Sequence, residues 1–320
     1  MSKLSRRAML KLAGLSGLAA GSAPLLTKAL AQETTAMTNT AMTNGAGFYR
    51  FPVGTATVTV LSDGQGVMEQ TFPNWGANPD LQEEFVQTLE ENYIPVAPSI
   101  NNFNPMLVDT GANKVLVDTG LGGGGGPTTG KLLTHLQNAG VTPEEIDAVF
   151  LTHGHPDHIQ GLLGEGGLAF PNAQLVMGEA EFNFWTSQTE PPPFIQNVLL
   201  PNQDSFTLIG ENAEIVPGLT TVASYGHTPG HLAVFVDGGE QQLMHFGDAG
   251  GHWLLSLLYP EHYLGFDADP EAAVATRAQL FERVSSDGTM VIGYHYPWPG
   301  VGYVKAVDDH YEFVPALFRW

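Results

Sequence analysis

The clearest chemistry in the sequence lies in three histidines and one aspartate within six positions, His153, His155, Asp157 and His158. Imidazole and carboxylate groups are ligands that suit Zn²⁺ and its first-row neighbours. His153 and His155 can point to one side of an extended segment, whereas Asp157 and His158 follow a proline, where the chain must turn. Four ligands in two offset pairs are too crowded for one tetrahedral ion. The spacing therefore predicts a site for two divalent ions a few ångströms apart.

Further ligand-type residues follow in the segments 226–231, 246–248 and 293–295. Together with the His-x-His-x-Asp-His run, they resemble the metallo-β-lactamase superfamily over about residues 47–320. The resemblance implies that three histidines hold one ion, that an aspartate and two histidines hold the other, and that one aspartate bridges the ions. In this sequence the first set is His153, His155 and His227, the second is Asp157, His158 and His295, and the bridge is Asp248.

Two adjacent divalent ions would make this site a hydrolytic one. They lower the pKa of a water between them, so that a hydroxide is available near neutral pH to attack a carbonyl or phosphoryl centre. Asp157 or Asp248 is expected to pass the proton to the leaving group. The sequence has no cysteine, so its donors are nitrogen and oxygen only. We expect two Zn²⁺ ions, and the same donors would accept Mn²⁺, Co²⁺ or Fe²⁺.

Two more residues are candidates for supporting the ligands. Asp118 follows an apolar strand, and its carboxylate can accept the free ring N–H of a ligand histidine; the alternative is a carboxylate that caps a turn. His231 is expected either to play a similar part or to be a satisfied histidine at a strand start. His245 lies on the opposite face of its strand from Asp248 and is predicted not to be a ligand.

The charge and the distribution of basic residues narrow the substrate class. The formal net charge is −21, and no lysine or arginine occurs between Lys131 and Arg277. Nucleic acid is not expected as a partner, because binding phosphates requires clustered basic residues. The lack of lysine and arginine between positions 131 and 277 also leaves no cationic clamp for an anionic substrate. We therefore expect a small neutral substrate. Trp185 and Phe194 are predicted to line its pocket, with ordinary core packing as the alternative.

Some segments resemble one branch of the superfamily, the secreted methyl parathion hydrolases, which are organophosphate triesterases. These segments include 47–50, 61–64, 169–173, 184–189 and 313–315, and Trp185 and Phe194 match pocket aromatics of that branch. The sequence departs from the branch at 122–126, where five glycines replace a loop with a further aromatic residue. The resemblance implies hydrolysis of a neutral ester, either an organophosphate triester, a lactone or an aryl ester.

Two alternatives remain beside this interpretation. Acyl-homoserine lactonases share the ligands but typically place a tyrosine just after the bridging aspartate, where this chain has Ala249, Gly250 and Gly251. Di-iron redox proteins of the same fold belong to another functional class. They replace one histidine of the first run with a carboxylate and carry a flavin domain, and neither feature is found in this sequence.

The glycine-rich segment also invites a comparison with phosphate-binding loops. Residues 125–131 read Gly-x-x-x-x-Gly-Lys, yet Leu132 stands where a Ser or Thr would hold Mg²⁺, and Pro127 removes a backbone donor. We therefore expect no nucleotide site here. A flexible loop at the mouth of the metal site is the predicted structure.

The first residues have the pattern of an export signal. Arg6 and Arg7 precede an apolar stretch rich in glycine and alanine, and residues 29–31 fit a small-x-small cleavage site. Residues 1–31 are therefore predicted to be a twin-arginine signal peptide, which implies a periplasmic or secreted protein with no membrane span after cleavage. Removing its five basic residues would take the formal charge to about −26. Residues 32–46 are predicted to be a disordered leader.

The remaining chain, 47–320, is predicted to be one hydrolase domain of the α+β class. Strands are expected at 53–61, 106–108, 115–117 and 148–151, and helices at 79–92, 131–139 and 269–284. Strands and helices occur twice in the same order, which suits a four-layer αββα sandwich of two mixed sheets, as in the family it resembles. Ligands at the strand ends would then converge at one edge. A homodimer is compatible with the sequence.

Overall fold

The computed structural model describes residues 45–317, which belong to one compact unit. The predicted signal peptide, 1–31, and residues 32–44 of the predicted leader lie outside the described residues. The last two leader positions, Gly45 and Ala46, form a turn in which Gly45 bridges to Phe48. No helix of the described part is long and apolar enough to cross a membrane.

Strands make up most of the regular structure of the described residues. In chain order they are β1 Phe48–Val53, β2 Ala56–Leu61, β3 Gly64–Met68, β4 Ser99–Phe103, β5 Met106–Asp109, β6 Lys114–Val117, β7 Ala148–Leu151, β8 Leu163–Gly164, β9 Gly167–Leu168, β10 Gln174–Gly178, β11 Phe206–Ile209, β12 Glu214–Val216, β13 Leu219–Ala223, β14 Leu232–Asp237, β15 Gln242–His245, β16 Met290–Ile292, β17 Val301–Val307 and β18 His310–Pro315.

Helices connect and cover these strands. They are α1 Gln82–Glu91, α2 Leu132–Asn138, α3 Pro156–Ile159, α4 Glu179–Thr186, α5 Pro193–Val198, α6 Leu255–Leu258 and α7 Pro270–Asp287. The longest, α7, begins at Asp269, whose carboxylate accepts a hydrogen bond from the Ala272 amide, and ends at Gly288 in the left-handed conformation. Both are standard signals for the start and the end of a helix.

The strands form two seven-stranded mixed sheets. The first sheet has the order β1-β2-β5-β6-β7-β10-β11, and the second has the order β12-β13-β14-β15-β16-β17-β18. Parallel pairing joins β6, β7, β10 and β11 in the first sheet and β15 with β16 in the second. The short hairpins β3–β4 and β8–β9 stand apart from both sheets.

Side-chain alternation along the strands builds three apolar layers. In the first sheet, Val115 and Val117 pack toward the second sheet, whereas Leu116 packs outward against the helices α2, α4 and α5. The outer face of the second sheet packs against α7 through Leu280 and Phe281. The order of layers is therefore helix, sheet, sheet, helix, and the predicted αββα fold is confirmed.

One sequence prediction is wrong in detail. A single strand is predicted over residues 53–61, but the chain reverses at Gly54 and Thr55, so that β1 and β2 form a hairpin. Gly54 has a φ of 56°, a left-handed conformation that glycine adopts without strain. The alternation of residues 55–60 hides this turn, because a tight hairpin preserves the in–out pattern on both of its strands.

Candidate metal centre

The structure brings all seven predicted ligands together at one edge of the two sheets. They form two groups, and within each group one ligand atom per residue lies within 4.8 Å of the others. The first group is His153, His155, His227 and Asp248; the second is Asp157, His158 and His295. The other six histidines of the described chain, none of them predicted to be a ligand, are in neither group: His135, His231, His245, His252, His262 and His310.

Four of the seven predicted ligands lie just after the end of β7, which sets their positions: His153, His155, Asp157 and His158. The last residue of β7 is Leu151; the chain then bends at Thr152 and His153 and is extended at His155, which precedes α3. Pro156 then starts the short helix that carries Asp157 and His158. His153 and His155, before the proline, therefore lie in the first group, and Asp157 and His158, on the helical turn after it, lie in the second.

Asp248 lies between the two groups. Its Oδ1 is 3.0 Å from His158 Nε2, and its Oδ2 is 3.2 Å from His295 Nε2 and 3.3 Å from His227 Nε2. It follows β15 after Gly247, whose φ of 54° turns the chain toward the cluster. This position between both sets is the one that a bridging carboxylate requires.

The contacts within the cluster fit divalent cations better than they fit hydrogen bonding. His155 Nδ1 lies 3.0 Å from His153 Nε2 and also 3.0 Å from His227 Nε2, so three imidazole nitrogens face one another. His158 Nε2 and Asp248 Oδ1 are buried and face each other at 3.0 Å, but not in the geometry of a hydrogen bond, and neither has another hydrogen-bond partner. Buried polar atoms are rarely left unpaired. Converging nitrogen and carboxylate donors of this kind are those that Zn²⁺ accepts.

The electrostatics of the cluster agree with this fit. Burial lowers the pKa of His155 to about 3, so its imidazole is neutral and its lone pair is available. Burial also opposes charge on His227 and His158, but Asp248 and neighbouring carboxylates raise the pKa of His227 to about 9 and that of His158 well above its ordinary value. The carboxylates therefore attract positive charge into a buried space.

Asp118 lies where the sequence placed a supporting carboxylate. Its Oδ2 accepts a hydrogen bond from His158 Nδ1 at 2.8 Å, and its Oδ1 accepts one from the Thr152 amide at 2.8 Å. The side chain is fully buried. Asp118 has a φ of 62°, which is uncommon outside glycine and concentrates at functional sites. Its contact directs the opposite nitrogen of His158 toward Asp248.

His231, the second supporting candidate, contacts the backbone of the aspartate between the groups. Its Nε2 accepts a hydrogen bond from the Asp248 amide at 3.0 Å, and its Nδ1 lies 2.6 Å from Ser224 Oγ. The ring leaves no room for a side chain at Gly247, where a Cβ would approach Nε2 to 2.5 Å. His231 thus fixes the turn that presents Asp248.

Sequence reasoning missed the partner of His227. Its Nδ1 lies 3.0 Å from Asp267 Oδ1, and Asp267 Oδ2 is 3.5 Å from the guanidinium of Arg277. Arg277 is 1% exposed and also donates to the carbonyls of Pro260 and His262. Asp267 stands in no motif and 40 residues from His227, so no local signal marked it.

Sequence reasoning also missed Glu181, which is fully buried beside the cluster. Its two oxygens accept four hydrogen bonds, from the amides of Gly154 and Gly230, the hydroxyl of Thr228 and the indole of Trp185. The sequence offered one clue, a carboxylate directly before an aromatic stretch at 182–185. Such a residue is ordinarily exposed unless it has partners.

The predicted pocket aromatics lie next to the first group. The Trp185 ring is edge-on to His155 at a centroid distance of 5.7 Å and to Phe194 at 5.6 Å. Trp185 is 8% exposed, so most of its surface belongs to the core, while Phe194 is half-buried. Trp185 therefore packs in the core and presents an edge to His155, and its role in substrate binding stays a prediction.

A second aromatic wall faces the other group. Trp75 and Phe103 are both edge-on to the His295 ring, at 5.5 and 5.7 Å, and Phe266 contacts Trp75. Trp75 Nε1 is buried without a hydrogen-bond partner. His295 Nδ1 lies 3.0 Å from the carbonyl of Asn102 in β4. Each of the two groups of donors is thus flanked by its own aromatic rings.

The glycine-rich segment is more ordered in its contacts than predicted. Gly122–Gly124 form a short 3₁₀ turn, and the amides of Leu121, Gly130 and Leu132 donate to the buried carboxylate of Asp63. An internal carboxylate thus occupies the amides that a phosphate would need. The absence of a nucleotide site stays a prediction.

Comparison with known families gives a match over most of the described chain. The family model described as the metallo-beta-lactamase superfamily matches residues 104–295, a range that contains all seven clustered residues. Among curated proteins, an N-acyl homoserine lactonase from Bacillus cereus is 25% identical over 165 residues. The match covers 52% of this chain and 62% of that relative, so less than two thirds of its length is spanned.

Two solved structures are similar over nearly their whole length. One is AidC, a dizinc quorum-quenching lactonase in complex with a hexanoyl-homoserine product, with a TM-score of 0.78, 25% identity, and coverage of 85% of this chain and 98% of that one. The other is the hydrolase AbOPH of the beta lactamase superfamily, with a TM-score of 0.78, 27% identity, and coverage of 87% and 100%.

Proposed function

The chain belongs to the metallo-β-lactamase superfamily, and from that membership we propose that it is a two-metal hydrolase of small neutral esters, with lactones as the first substrate class. The observation that carries the proposal is the convergence of seven nitrogen and oxygen donors in two adjacent groups. A dizinc lactonase among the similar structures supports zinc as the metal.

The residues around the cluster support a neutral substrate. Within the described residues, the cation connected to the ligands is Arg277, and it is buried and engaged by Asp267 and two backbone carbonyls. Over residues 45–317, no guanidinium or ammonium group forms an ion pair with any of the seven donors. The flanking surfaces are aromatic, with Trp185 on one side and Trp75 on the other. Such walls favour an apolar, uncharged molecule.

The seven clustered residues have separate roles in the proposed hydrolysis. His153, His155 and His227 would hold one ion, Asp157, His158 and His295 the other, and Asp248 both. Two bound divalent ions would supply a nucleophile at neutral pH and polarise the ester carbonyl. Of the two carboxylates, Asp157 is the more open, with 20% of its side chain exposed against 10% for Asp248. Asp157 is therefore the group placed to carry a proton to an alkoxide leaving group.

The test combines metal analysis with a substrate panel. We expect two equivalents of zinc per chain and ring opening of N-acyl homoserine lactones, followed as the release of acid when the carboxylate product forms. An anionic cephalosporin serves as the control substrate and should be poorly hydrolysed. Efficient hydrolysis by protein stripped of metal, or a preference for the anionic substrate, would overturn the proposal.

Organophosphate triesters and aryl esters are the second candidate class. The observation that favours them is the sequence after Asp248, where glycine rather than tyrosine stands at Gly250 and Gly251, unlike typical acyl-homoserine lactonases. A dialkyl nitrophenyl phosphate and a nitrophenyl carboxylate ester in the same panel separate the classes. A higher kcat/KM for the phosphate than for every lactone would assign the protein to this class.

Export through the twin-arginine pathway is part of the proposal and rests on the sequence of residues 1–31. Fractionation of cells that express the full chain, compared with an Arg6→Lys and Arg7→Lys double variant, tests it. We expect periplasmic protein only for the unaltered chain. Equal distribution of both proteins would show that the arginine pair has no such role.

A further inference from the structure

A single carboxylate connects the helix α4 to both ligand loops of the first group. Glu181 Oε1 accepts hydrogen bonds from the Gly154 amide at 2.9 Å and from Trp185 Nε1 at 2.6 Å. Its Oε2 accepts from Thr228 Oγ1 at 2.7 Å and from the Gly230 amide at 2.9 Å. The side chain is fully buried, and all four partners are fixed by the backbone or by packing.

The four partners border three of the histidines. Gly154 lies between His153 and His155, and Thr228 directly follows His227. These loops come from different sheets, since His153 follows β7 and His227 follows β13. Glu181 is therefore a direct hydrogen-bonded link, within the described residues, between the two loops that must meet to form a three-histidine set.

Two glycines show how closely the loops approach α4. A Cβ at Gly154 would lie 2.3 Å from Trp185 Nε1, and a Cβ at Gly230 would lie 2.1 Å from the amide nitrogen of Glu181. Any other residue would push either loop away from the helix. Gly154, inside the His-x-His run, thus permits the contact with Glu181. In turn, α4 limits how both loops can be positioned, because they pack directly against it.

The donors also define the charge of Glu181. Burial raises the pKa of the Glu181 carboxyl, and the four hydrogen-bond donors that point at its two oxygens oppose that rise because they favour the ionised carboxylate. No lysine or arginine of the part that the structure describes is paired with it. A buried anion without a cation is costly, and a divalent cation held by the adjacent histidines would offset that cost.

We propose that Glu181 is a positioning residue that holds the His153–His155 loop, the His227 loop and the Trp185 wall in one geometry, and so sets the metal affinity of the three-histidine set. The proposal rests on the proposed function, because it concerns the same site. In this proposal α4, which carries no metal ligand, fixes the position of the loop after β7 relative to the loop after β13. It also links the substrate wall to the metal, since Trp185 and Gly154 share one oxygen.

The substitution Glu181→Gln separates charge from shape. An amide keeps one acceptor oxygen and turns an NH₂ toward the other pair of donors. The Thr228 hydroxyl can rotate to accept from that NH₂, whereas the Trp185 and Gly154 N–H groups cannot. The new amide would therefore place its oxygen on Gly154 and Trp185 and leave the Gly230 amide without an acceptor, so that the His227 loop is released.

The experiment measures the affinity of each ion in the full chain by competition with a chelator, for the unaltered protein, Glu181→Gln and Thr228→Val. Loss of a partner behind the ligands typically costs about 10- to 100-fold in metal affinity or activity. We expect Glu181→Gln to weaken one ion by that amount, and Thr228→Val to weaken the same ion less. Glu179→Gln, an exposed position on the same helix, is the matched control and should bind both ions normally.

Ring ¹⁵N spectra of labelled histidines identify which ion is lost. The expected result is loss of the metal shift at His153, His155 and His227 while His158 and His295 retain theirs. Normal affinity for both ions in Glu181→Gln, or equal weakening of both with a lower melting temperature, would overturn the proposal. If Glu181→Gln does not fold, Thr228→Val decides by the same readout. An unaltered protein that binds fewer than two ions contradicts the proposed function instead.

Discussion

Asp248 and Asp118 both face His158, but from opposite ring nitrogens. Asp248 lies between the two groups of donors, whereas Asp118 touches one histidine from behind. This difference in position should translate into a difference in metal stoichiometry. A carboxylate shared by two ions also balances their charge, and a supporting carboxylate only fixes a ring.

We therefore expect Asp248→Asn to lose at least one tightly bound ion and most of kcat, because the nucleophile arises between the ions. Asp118→Asn should cost about 10- to 100-fold in metal affinity or activity. Asparagine tolerates the left-handed backbone at 118, so this variant keeps the local conformation. Metal content and kcat are measured in parallel. Two tight ions with normal turnover in Asp248→Asn would show that it is not the bridge.

The two tryptophans beside the cluster offer a matched pair. Trp75 Nε1 has no partner, whereas Trp185 Nε1 donates to Glu181. Phenylalanine at either position leaves a similar void, but at 185 it also removes a hydrogen bond to a buried carboxylate, which is worth roughly 1.5–3 kcal/mol. We expect Trp185→Phe to lower the free energy of unfolding by more than Trp75→Phe does. Urea denaturation of both variants checks the order, and equal losses would contradict it.

The clustering of the seven candidate ligands could be predicted from the sequence, and most of their hydrogen-bond partners could not. The His-x-His-x-Asp-His run sets its own geometry through the local backbone, with a bend after β7, a proline and one helical turn. Asp118 could also be predicted from the local sequence, since it follows the end of a strand. Glu181 and Asp267 come from elements distant in the sequence, and only the packing of α4 and α7 brings them to the loops.

At the scale of elements, the glycine-rich segment depends on one side chain. Asp63, just after β2, accepts hydrogen bonds from the amides of Leu121, Gly130 and Leu132. Leu132 is the first residue of α2, so the same carboxylate also satisfies a helix N-terminus. The sequence predicted a loose loop because glycines carry no contact information of their own.

The substitution Asp63→Asn should release this segment. It replaces an acceptor of three amides by a group that must turn NH₂ toward at least one of them. We expect faster proteolytic cleavage within 121–130 and a loss of roughly 1.5–3 kcal/mol in unfolding free energy. Limited proteolysis with mass mapping provides the measurement, and Asp80→Asn on the exposed surface is its control. Unchanged cleavage would mean that the turn holds itself.

At the scale of the whole molecule, buried histidines should make stability depend on pH. Burial lowers the pKa of His245 to about 4, and its Nδ1 accepts a hydrogen bond from the Gly247 amide, so the folded state resists protonation. The unfolded chain protonates the same group near pH 6.5. Between these values the unfolded state binds more protons, and stability therefore falls as pH falls from about 6.5 to about 4.

His245→Leu should remove one proton from this dependence. We expect the slope of unfolding free energy against pH to decrease by about 1.4 kcal/mol per pH unit in that range, whatever the variant's absolute stability. Denaturant curves of zinc-saturated unaltered and variant protein at several pH values give the slopes. Since the ligand histidines are common to both proteins, their protonation cancels, and identical slopes would contradict a neutral buried His245.

Metal removal should weaken the contact between the two sheets. His153, His155, Asp157 and His158 follow the first sheet, and His227, Asp248 and His295 belong to the second. An ion that binds only the folded state at about 1,000 times its Kd adds about 4.1 kcal/mol. We expect chelation to lower Tm by several degrees and added zinc to restore it. A Tm that is the same with and without chelator would show that the donors hold no ion in the folded protein.

The chain completes one sheet before it begins the other. The strands of the first sheet lie between residues 48 and 209, and those of the second between 214 and 315. A cut after Gly210, where an added Cβ would meet no neighbouring atom, would yield two pieces with one sheet each. Neither piece contains a complete donor set, because the first lacks His227 and His295 and the second lacks all of 153–158. Catalysis by the mixed pieces would thus report their reassociation, which makes this fold a natural two-part reporter.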